Sequence, residues 1–335
     1  MDTVHKALTL LDGAREEMGI GFFGGEALLV PDRLREAAEY AKACGAARQV
    51  PVRFSLTTNG TCLDDTMARY LDAERFSLIV SLDGPRHLHD DARPFADGSG
   101  SFDAVTRALE RIAAYPALAR RTTLRATYDG REPAVAERVD FLNGVADAFG
   151  FRNVSVEPVF LAEGCATGGA PVRFTPELEK DYLAAARWCR DRLLAGRPAR
   201  FHHIMARAGR LYRRDAAPSE CGAGCGYLCV VPDGTIMACH REGCPVGHVD
   251  TSIDETQRAC WTDNRYTARH ACGSCPWRNA CGGGCRVNSL AVHGNVRTPT
   301  ADGCRLTQLC LRAAAWLLSE LPATVRERTF ARRDA

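Results

Sequence analysis

The chain has 335 residues, 46% of them hydrophobic and 25% charged, with a net charge of +2. That is an ordinary soluble composition, long enough for one large domain and a small one. The near-neutral charge excludes the basic footprint of a nucleic-acid binder, and no apolar run approaches the ~18 residues that span a bilayer. The first residues, MDTVHKALTLLDGAREEMG, carry acids and no long apolar stretch, unlike an export signal, so a cytoplasmic protein without nucleic-acid or membrane partners is expected. Sixteen cysteines without an export signal point to metal binding rather than to disulfides.

In chain order, residues 3–18 read as a helix, with Val4, Ala7, Leu8, Leu11 and Ala14 at helical spacing. A short apolar strand, IGFFGGE at 20–26, ends in two glycines and an acid. A helix opens at Pro31 and closes at Gly45. Strands follow at 52–60, 76–84, 122–130 and 153–160, separated by helices around Asp64–Asp72, from about 101, and over EPAVAERVDFLNGVADAFG. Alternating helices and near-continuous apolar strands indicate a parallel sheet or barrel. A Gly/Pro-rich break covers 161–175, helices are expected at 176–195 and 201–214, and a cysteine-rich region spans 218–305. A last helix and a basic tail, RERTFARRDA, close the chain, and the tail is expected to fray.

The cysteines are ordered. CGSCPWRNACGGGC places Cys272, Cys275, Cys281 and Cys285 with two, five and three residues between them. The short gap lets two sulfurs face one ion, and Gly282, Gly283 and Gly284 let the backbone bend around a bulky centre. Upstream, CGAGCGYLCVVPDGTIMAC supplies Cys221, Cys225, Cys229 and Cys239, and Cys304 lies downstream. A zinc ribbon uses similar pairs, but seven or eight interleaved thiols suit two iron–sulfur clusters better. The seven-cysteine order resembles the SPASM domain of radical SAM peptide and protein maturases. That resemblance implies two auxiliary 4Fe–4S clusters, one on Cys272, Cys275, Cys281 and Cys304. The other would take Cys221, Cys239 and Cys285, with Cys225 or a substrate atom as fourth ligand and Cys229 as a competitor. Cys44, Cys62, Cys165, Cys189, Cys244, Cys260 and Cys310 read as small buried hydrophobes or free thiols.

The first half fits the same family. Gly24 and Gly25 permit close backbone approach, and Glu26 offers a carboxylate to an ammonium. GFFGGE resembles the radical SAM GGE motif, which binds the methionine amino group of S-adenosylmethionine (SAM). LTTNGT at 56–61, SLDG at 81–84 and HDDAR followed by GSGSFD at 89–103 resemble later segments of the same maturases. The resemblance implies that Ser81 and Asp83 face the SAM ribose and carboxylate, that Arg125 pairs with the carboxylate, and that VEPVF at 156–160 flanks the adenine. For Asp83 the residue-level alternative is a turn-forming Asp-Gly, and for Arg125 a core-edge arginine.

The implied fold is α/β. A partial radical SAM barrel without its first strand occupies 1–165, followed by a helical linker at 166–217, the SPASM domain at 218–305, and a C-terminal helix and tail at 306–335. The implied activity is modification of a ribosomally made peptide or protein, with an electron donor of flavodoxin or ferredoxin type. SAM would be cleaved reductively to a radical that abstracts a substrate hydrogen. Two departures stand out. No CxxxCxxC loop precedes Glu26, so a third, catalytic cluster is not supported and no catalytic residue is nominated. His240 follows Cys239 where anaerobic sulfatase maturases carry a catalytic aspartate. The expectation is that one strand–loop–helix unit is missing, leaving an open edge at residues 20–25 and a cavity beside Glu26. The alternatives are an enzyme completed by an upstream CxxxCxxC segment and a non-catalytic iron–sulfur module that binds peptides or carries electrons.

Overall fold

The computed structural model describes residues 2–10, 16–159, 172–216, 221–241, 243–262 and 272–332. The first half runs α1 (Asp2–Thr9), β1 (Met18–Phe22), α2 (Pro31–Arg48), β2 (Val52–Thr58), α3 (Asp65–Ala73), β3 (Ser77–Ser81), α4 (Arg86–Ala92), α5 (Phe102–Ala113), α6 (Pro116–Arg120), β4 (Thr122–Tyr128), α7 (Val135–Phe149) and β5 (Asn153–Pro158). The five strands form one parallel sheet in the order β1-β2-β3-β4-β5. Local chemistry starts and stops its helices. Asp64 accepts the Met67 N–H at 2.7 Å and caps α3. Pro31 opens α2, and Gln49 closes it in a left-handed conformation. In α5 the buried residues Val105, Ala108, Leu109 and Ile112 form one helical stripe against the sheet.

The next helices, α8 (Pro176–Leu194) and α9 (His202–Arg213), do not stand apart as a linker. They pack on α7, β5 and the late helix α13 (Ala301–Glu320), so Tyr182, Ala186, Phe201, Ile204, Leu309 and Leu317 share the sheet's buried core. A second, smaller core lies in the cysteine-rich region. There the antiparallel strands β6 (Cys229–Val230), β7 (Thr235–Met237) and β8 (Pro245–His248) meet α10 (Glu255–Thr262), α11 (Arg278–Cys281) and α12 (Arg286–His293). Ala223, Ile236, Ala238, Cys239, Val246 and Trp261 are buried together in it. No described helix is long and apolar enough to cross a membrane.

Three expectations change. The first helix ends at Thr9 rather than 18, and residues 11–15 lie outside the described set. Met18 already belongs to β1, because its N–H bonds to Pro51 O at 2.9 Å and its strand runs in register with Val52–Leu56; ladder pairing overrides helical spacing. The C-terminal helix begins at Ala301, which puts Cys304 in its first turn. The tail does not fray as far as residue 332. It forms α14 (Ala323–Phe330), whose Phe330 is 4% exposed beside Tyr212, while Arg332 pairs with Asp215 at 2.8 Å.

Among the described residues β1 pairs with β2 alone, so it forms one edge of the sheet. Phe22 is half-buried against Phe76, whereas Phe23 is 52% exposed. A cavity of ≈ 540 Å³ opens at the starts of α7 and α8, lined by residues that include Arg131, Ala134, Val172, Thr175 and Asp181, with Glu26 not among them.

Phe330→Ala should cost about 3 kcal/mol, the usual range for truncating a buried phenylalanine. Urea denaturation and earlier tryptic cleavage of the C-terminal segment would report it.

Candidate functional site

The strands alternate in burial, and the alternation defines the site. Phe54, Leu56, Leu78, Val80, Leu124, Ala126, Val154 and Val156 turn to the helices and are buried. The opposite set includes Thr57, Ile79, Ser81, Arg125, Thr127, Ser155 and Glu157, none fully buried. In register, Ser81 lies beside Arg125, Arg125 beside Ser155, and Thr127 beside Glu157. A parallel sheet is normally covered on both faces by apolar side chains. Here one face is polar and half-open, and it ends at the carboxyl ends of the strands, where such sheets receive ligands.

Apart from Arg125, which lies midway along β4, the expected SAM residues sit at those strand ends, in different states. Gly24 and Gly25 have φ of 100° and 51°, and a side chain at either would meet open space. Backbone conformation rather than crowding therefore demands glycine there. Glu26 is braced: Leu28 N–H and Thr58 Oγ1 donate to its Oε1 at 3.0 and 2.8 Å, and Asn59 N–H donates to Oε2 at 2.7 Å. The carboxylate thus joins the end of β1 to the end of β2, and Oε2 keeps one acceptor position for a further donor. Ser81 and Arg125 are neighbours on the open face.

Asp83 is different. It is 1% exposed; Thr127 N–H donates to its Oδ1 at 2.8 Å and Arg93 Nε to its Oδ2 at 2.7 Å. Its own N–H donates to His89 Nδ1 at 3.1 Å, and Arg138 donates to its carbonyl oxygen. Because Nδ1 accepts, Nε2 of His89 carries the proton and meets Ser101 Oγ at 3.0 Å. Burial pulls the His89 pKa down, consistent with a neutral ring. The HDDAR and GSGSFD segments therefore form the brace behind SLDG.

A second group on the open face was not found from the sequence. Glu157 Oε2 lies 2.8 Å from His203 Nε2, His203 Nδ1 lies 3.1 Å from Tyr182 Oη, and Tyr182 Oη lies 3.0 Å from Tyr128 Oη. Ser155 Oγ also donates to Glu157 Oε1 at 2.5 Å. This file of groups passes around the β5 edge from the open face into the helix layer. Burial alone would pull His203 down, but the Glu157 charge, with hydrogen bonds to Cys310 and Glu157, raises it to about 10. Burial alone would raise Glu157, but His203 holds it below the usual carboxylate range. Nothing in the sequence links position 157 to position 203. Phe160, at the end of the expected adenine-flanking VEPVF, lies outside the described residues.

The cysteines divide between the two cores. Cys239 ends the β7 segment and is buried in the second core, while Cys304 sits on α13 of the first. Cys272 and Cys275 form a tight turn, with Cys275 N–H donating to Cys272 O at 3.1 Å; α11, which ends at Cys281, packs on α13. Several sulfurs already accept donors. Ala223 N–H meets Cys221 at 3.4 Å, Tyr227 Oη meets Cys239 at 3.3 Å, and Arg241 Nη1 meets Cys285 at 3.4 Å. Gly283 N–H meets Cys281 at 3.4 Å and Gln308 Nε2 meets Cys304 at 3.3 Å. Burial pushes the Cys239 thiol up, but hydrogen bonds from His240, Tyr227 and the Arg241 backbone bring it down to about 7. Every described cysteine is free of a disulfide. Cys225 and Cys285 are exposed; Cys189, Cys244 and Cys310 are buried; Cys62 is exposed; and Cys165 lies outside the described residues. Sulfurs surrounded by N–H and O–H donors suit thiolate ligation of an iron–sulfur cluster in kind. Among the described residues, no group of three His, Cys, Asp or Glu side chains is gathered to hold an ion. The fit therefore lies in donor chemistry alone. The two halves of the site touch: the Phe23 ring, beside the Gly24–Gly25 turn, lies 4.4 Å from the His240 ring.

No protein-family model matches the chain. It is 26% identical over 292 residues to an uncharacterised protein of Archaeoglobus fulgidus, covering 82% of this chain and 64% of that protein. It is 31% identical over 103 residues to a cysteine-type anaerobic sulfatase-maturating enzyme of Clostridium novyi, covering 30% of this chain and 27% of the enzyme. It is 28% identical over 302 residues to the Fe-coproporphyrin III synthase of Methanosarcina barkeri, covering 82% and 72%. Among solved structures, anSMEcpe with bound AdoMet matches with a TM-score of 0.77 at 17% identity, over 95% of this chain and 89% of that one. Streptococcus suis SuiB bound to its precursor peptide SuiA matches with a TM-score of 0.57 at 14% identity, over 90% and 68%.

The Glu157–His203 pair makes stability depend on pH. The His203 pKa is raised, so its contribution is complete below the unfolded value near 6.5 and is lost as pH rises through about 10. The Glu157 pKa is depressed, so its contribution is present above the ordinary 4.5 and lost only as pH falls through its lower folded value. Thermal melts of His203→Gln should be lower at pH 7 and should lose the decline that the parent shows between pH 7 and 10.

Proposed function

We propose, from the premise that the chain belongs to the radical SAM/SPASM maturase-type family, that it is the SAM-binding and auxiliary-cluster portion of an enzyme that modifies a ribosomally made peptide or protein. The observation that carries this reading is the Phe23–His240 contact, which sets the Gly24–Gly25–Glu26 turn against the cysteine domain. The chain spans 64% of the Archaeoglobus relative and 27% of the Clostridium enzyme, so the activity and substrate of the whole protein belong to the proposal.

In this reading Glu26 takes the SAM ammonium with the free acceptor position on Oε2, and Ser81 and Arg125 face the carboxylate and ribose. Asp83 acts from behind: it holds the β3 and β4 ends in place through Thr127 and Arg93. Cys272, Cys275, Cys281 and Cys304 would hold one four-iron cluster. Cys221, Cys239 and Cys285, with Cys225, would hold the other. When bound, SAM and its reduced cluster supply a radical able to take a substrate hydrogen. The polar sheet face positions the substrate beneath Phe23, and a flavodoxin- or ferredoxin-type partner supplies electrons. A peptide substrate is supported by the peptide-bound state of SuiB. The Fe-coproporphyrin III synthase similarity, over 82% of the chain, favours an iron porphyrin, the compound that enzyme is named for making, as the second ligand class. Titrating reconstituted protein with candidate precursor peptides and with iron coproporphyrin separates the two.

Anaerobic reconstitution should load about eight irons per chain with visible charge-transfer absorption, and Cys281→Ala should retain about four. About two zincs and a colourless protein would sink the assignment.

The 335 residues contain no CxxxCxxC segment. With dithionite and SAM, this polypeptide alone should therefore release no 5′-deoxyadenosine above background by chromatography. Release well above background would mean that an auxiliary cluster offers SAM an open iron.

A further inference from the structure

We infer that Glu157 is the carboxylate that receives the ribose hydroxyls of SAM, and that His203 is the positioning residue that holds it for them. The inference rests on the SAM-binding reading above and deepens it, because Asp83, the carboxylate expected at the ribose, is buried behind the open face.

The two carboxylates flank Thr127. Asp83 is 1% exposed, with Thr127 N–H on Oδ1 at 2.8 Å and Arg93 Nε on Oδ2 at 2.7 Å. It has no surface to offer a ligand. Glu157 lies one strand further on, in register with Thr127, and a quarter of its side chain is open on the polar face. Ser155 Oγ donates to its Oε1 at 2.5 Å and His203 Nε2 to its Oε2 at 2.8 Å, so each oxygen keeps one acceptor position. His203 is held in turn. Its Nδ1 lies 3.1 Å from Tyr182 Oη, which lies 3.0 Å from Tyr128 Oη, and both tyrosines are buried. The ring is protonated at neutral pH, so both of its nitrogens donate.

This charge state narrows the ligand. The imidazolium balances the carboxylate, so a bare cation gains little there. Neutral O–H donors gain a charge-assisted hydrogen bond at each oxygen. Two adjacent hydroxyls fill both acceptor positions at once, and a carboxylate at the carboxyl end of a parallel strand takes a nucleoside ribose by the same chemistry. The ribose is the one part of SAM that carries such a pair. Arg125, in register with Ser155 on the same face, lies close enough for one ligand to meet the guanidinium with its own carboxylate and Glu157 with its diol. No covalent bond forms or breaks, and no proton moves.

The test is isothermal titration of the 335-residue chain with S-adenosylhomocysteine and with its 2′-deoxy and 3′-deoxy analogues, repeated on Glu157→Gln and His203→Gln. The parent should bind each deoxy analogue about tenfold more weakly than the full ligand. Glu157→Gln should bind the full ligand about tenfold more weakly and the three ligands nearly alike, which a loss of packing alone would not produce. His203→Gln should keep part of the discrimination. If Glu157→Gln does not fold, the parent series and His203→Gln decide. Full hydroxyl discrimination in folded Glu157→Gln would overturn the inference, as would a parent that binds the deoxy analogues as tightly as the full ligand. A preference for SAM over S-adenosylhomocysteine that Glu157→Gln abolishes, with the hydroxyls making no difference, would mark a cation site and overturn it too. A parent that binds no adenosyl ligand would overturn the SAM-binding reading itself.

Discussion

Asp83 is a carboxylate buried at the carboxyl end of the middle strand, and the site is built around satisfying it. A buried charge left without partners is strongly unfavourable, and removing one partner from such a pair typically costs about 3–5 kcal/mol. Thr127 and Arg93 bind its oxygens, His89 receives its N–H, and Arg138 reaches its carbonyl oxygen. One residue just beyond β3 thereby fixes the end of β4, the last turn of α4 and the start of α7. Ser81 and Arg125, two residues back on their strands, inherit that rigidity. Their placement on the open face therefore depends on a residue that is itself buried.

The second constraint is the division of the cysteines. Cys221 and Cys239 belong to the small core, whereas Cys304 rides on α13, a helix of the large one. A cluster sharing Cys304 with Cys272, Cys275 and Cys281 would tie the two cores together, and metal binding would then contribute to domain docking as well as to local folding. Protein contacts already prepare that docking. Lys6 pairs with Asp250 at 2.8 Å, and Phe23 meets His240. The buried Arg286 knits the small core by donating to Ala223 O and Trp261 O.

The polar face of the sheet is the third element. Glu157 and Arg125 place opposite charges one strand apart, while His203 keeps the carboxylate ionised from the far side. The face can therefore receive donors and acceptors without shedding its own charges, as suits a polar ligand that must be oriented rather than merely buried.

The sequence by itself determined the alternation of helix and strand, the carboxyl-end position of Gly24, Gly25, Glu26 and Ser81, and the cysteine spacing. These signals are local: apolar periodicity, glycine at turns, and thiols at fixed intervals all act within a few residues. Only the tertiary structure decided that Asp83 is a brace, because its burial comes from Thr127, Arg93 and Arg138, which are distant in the chain. The same holds for the Glu157–His203–Tyr182–Tyr128 file, assembled from two strands and two helices, and for Arg241, whose guanidinium meets Cys285 across the small core. It holds for the ends of the chain as well. Met18 joins a strand because the β2 ladder is there to pair with it, and the basic tail becomes α14 because α9 offers Phe330 an apolar seat. Hydrogen-bond partners and burial are properties of what a residue packs against, and spacing along the chain carries no record of them.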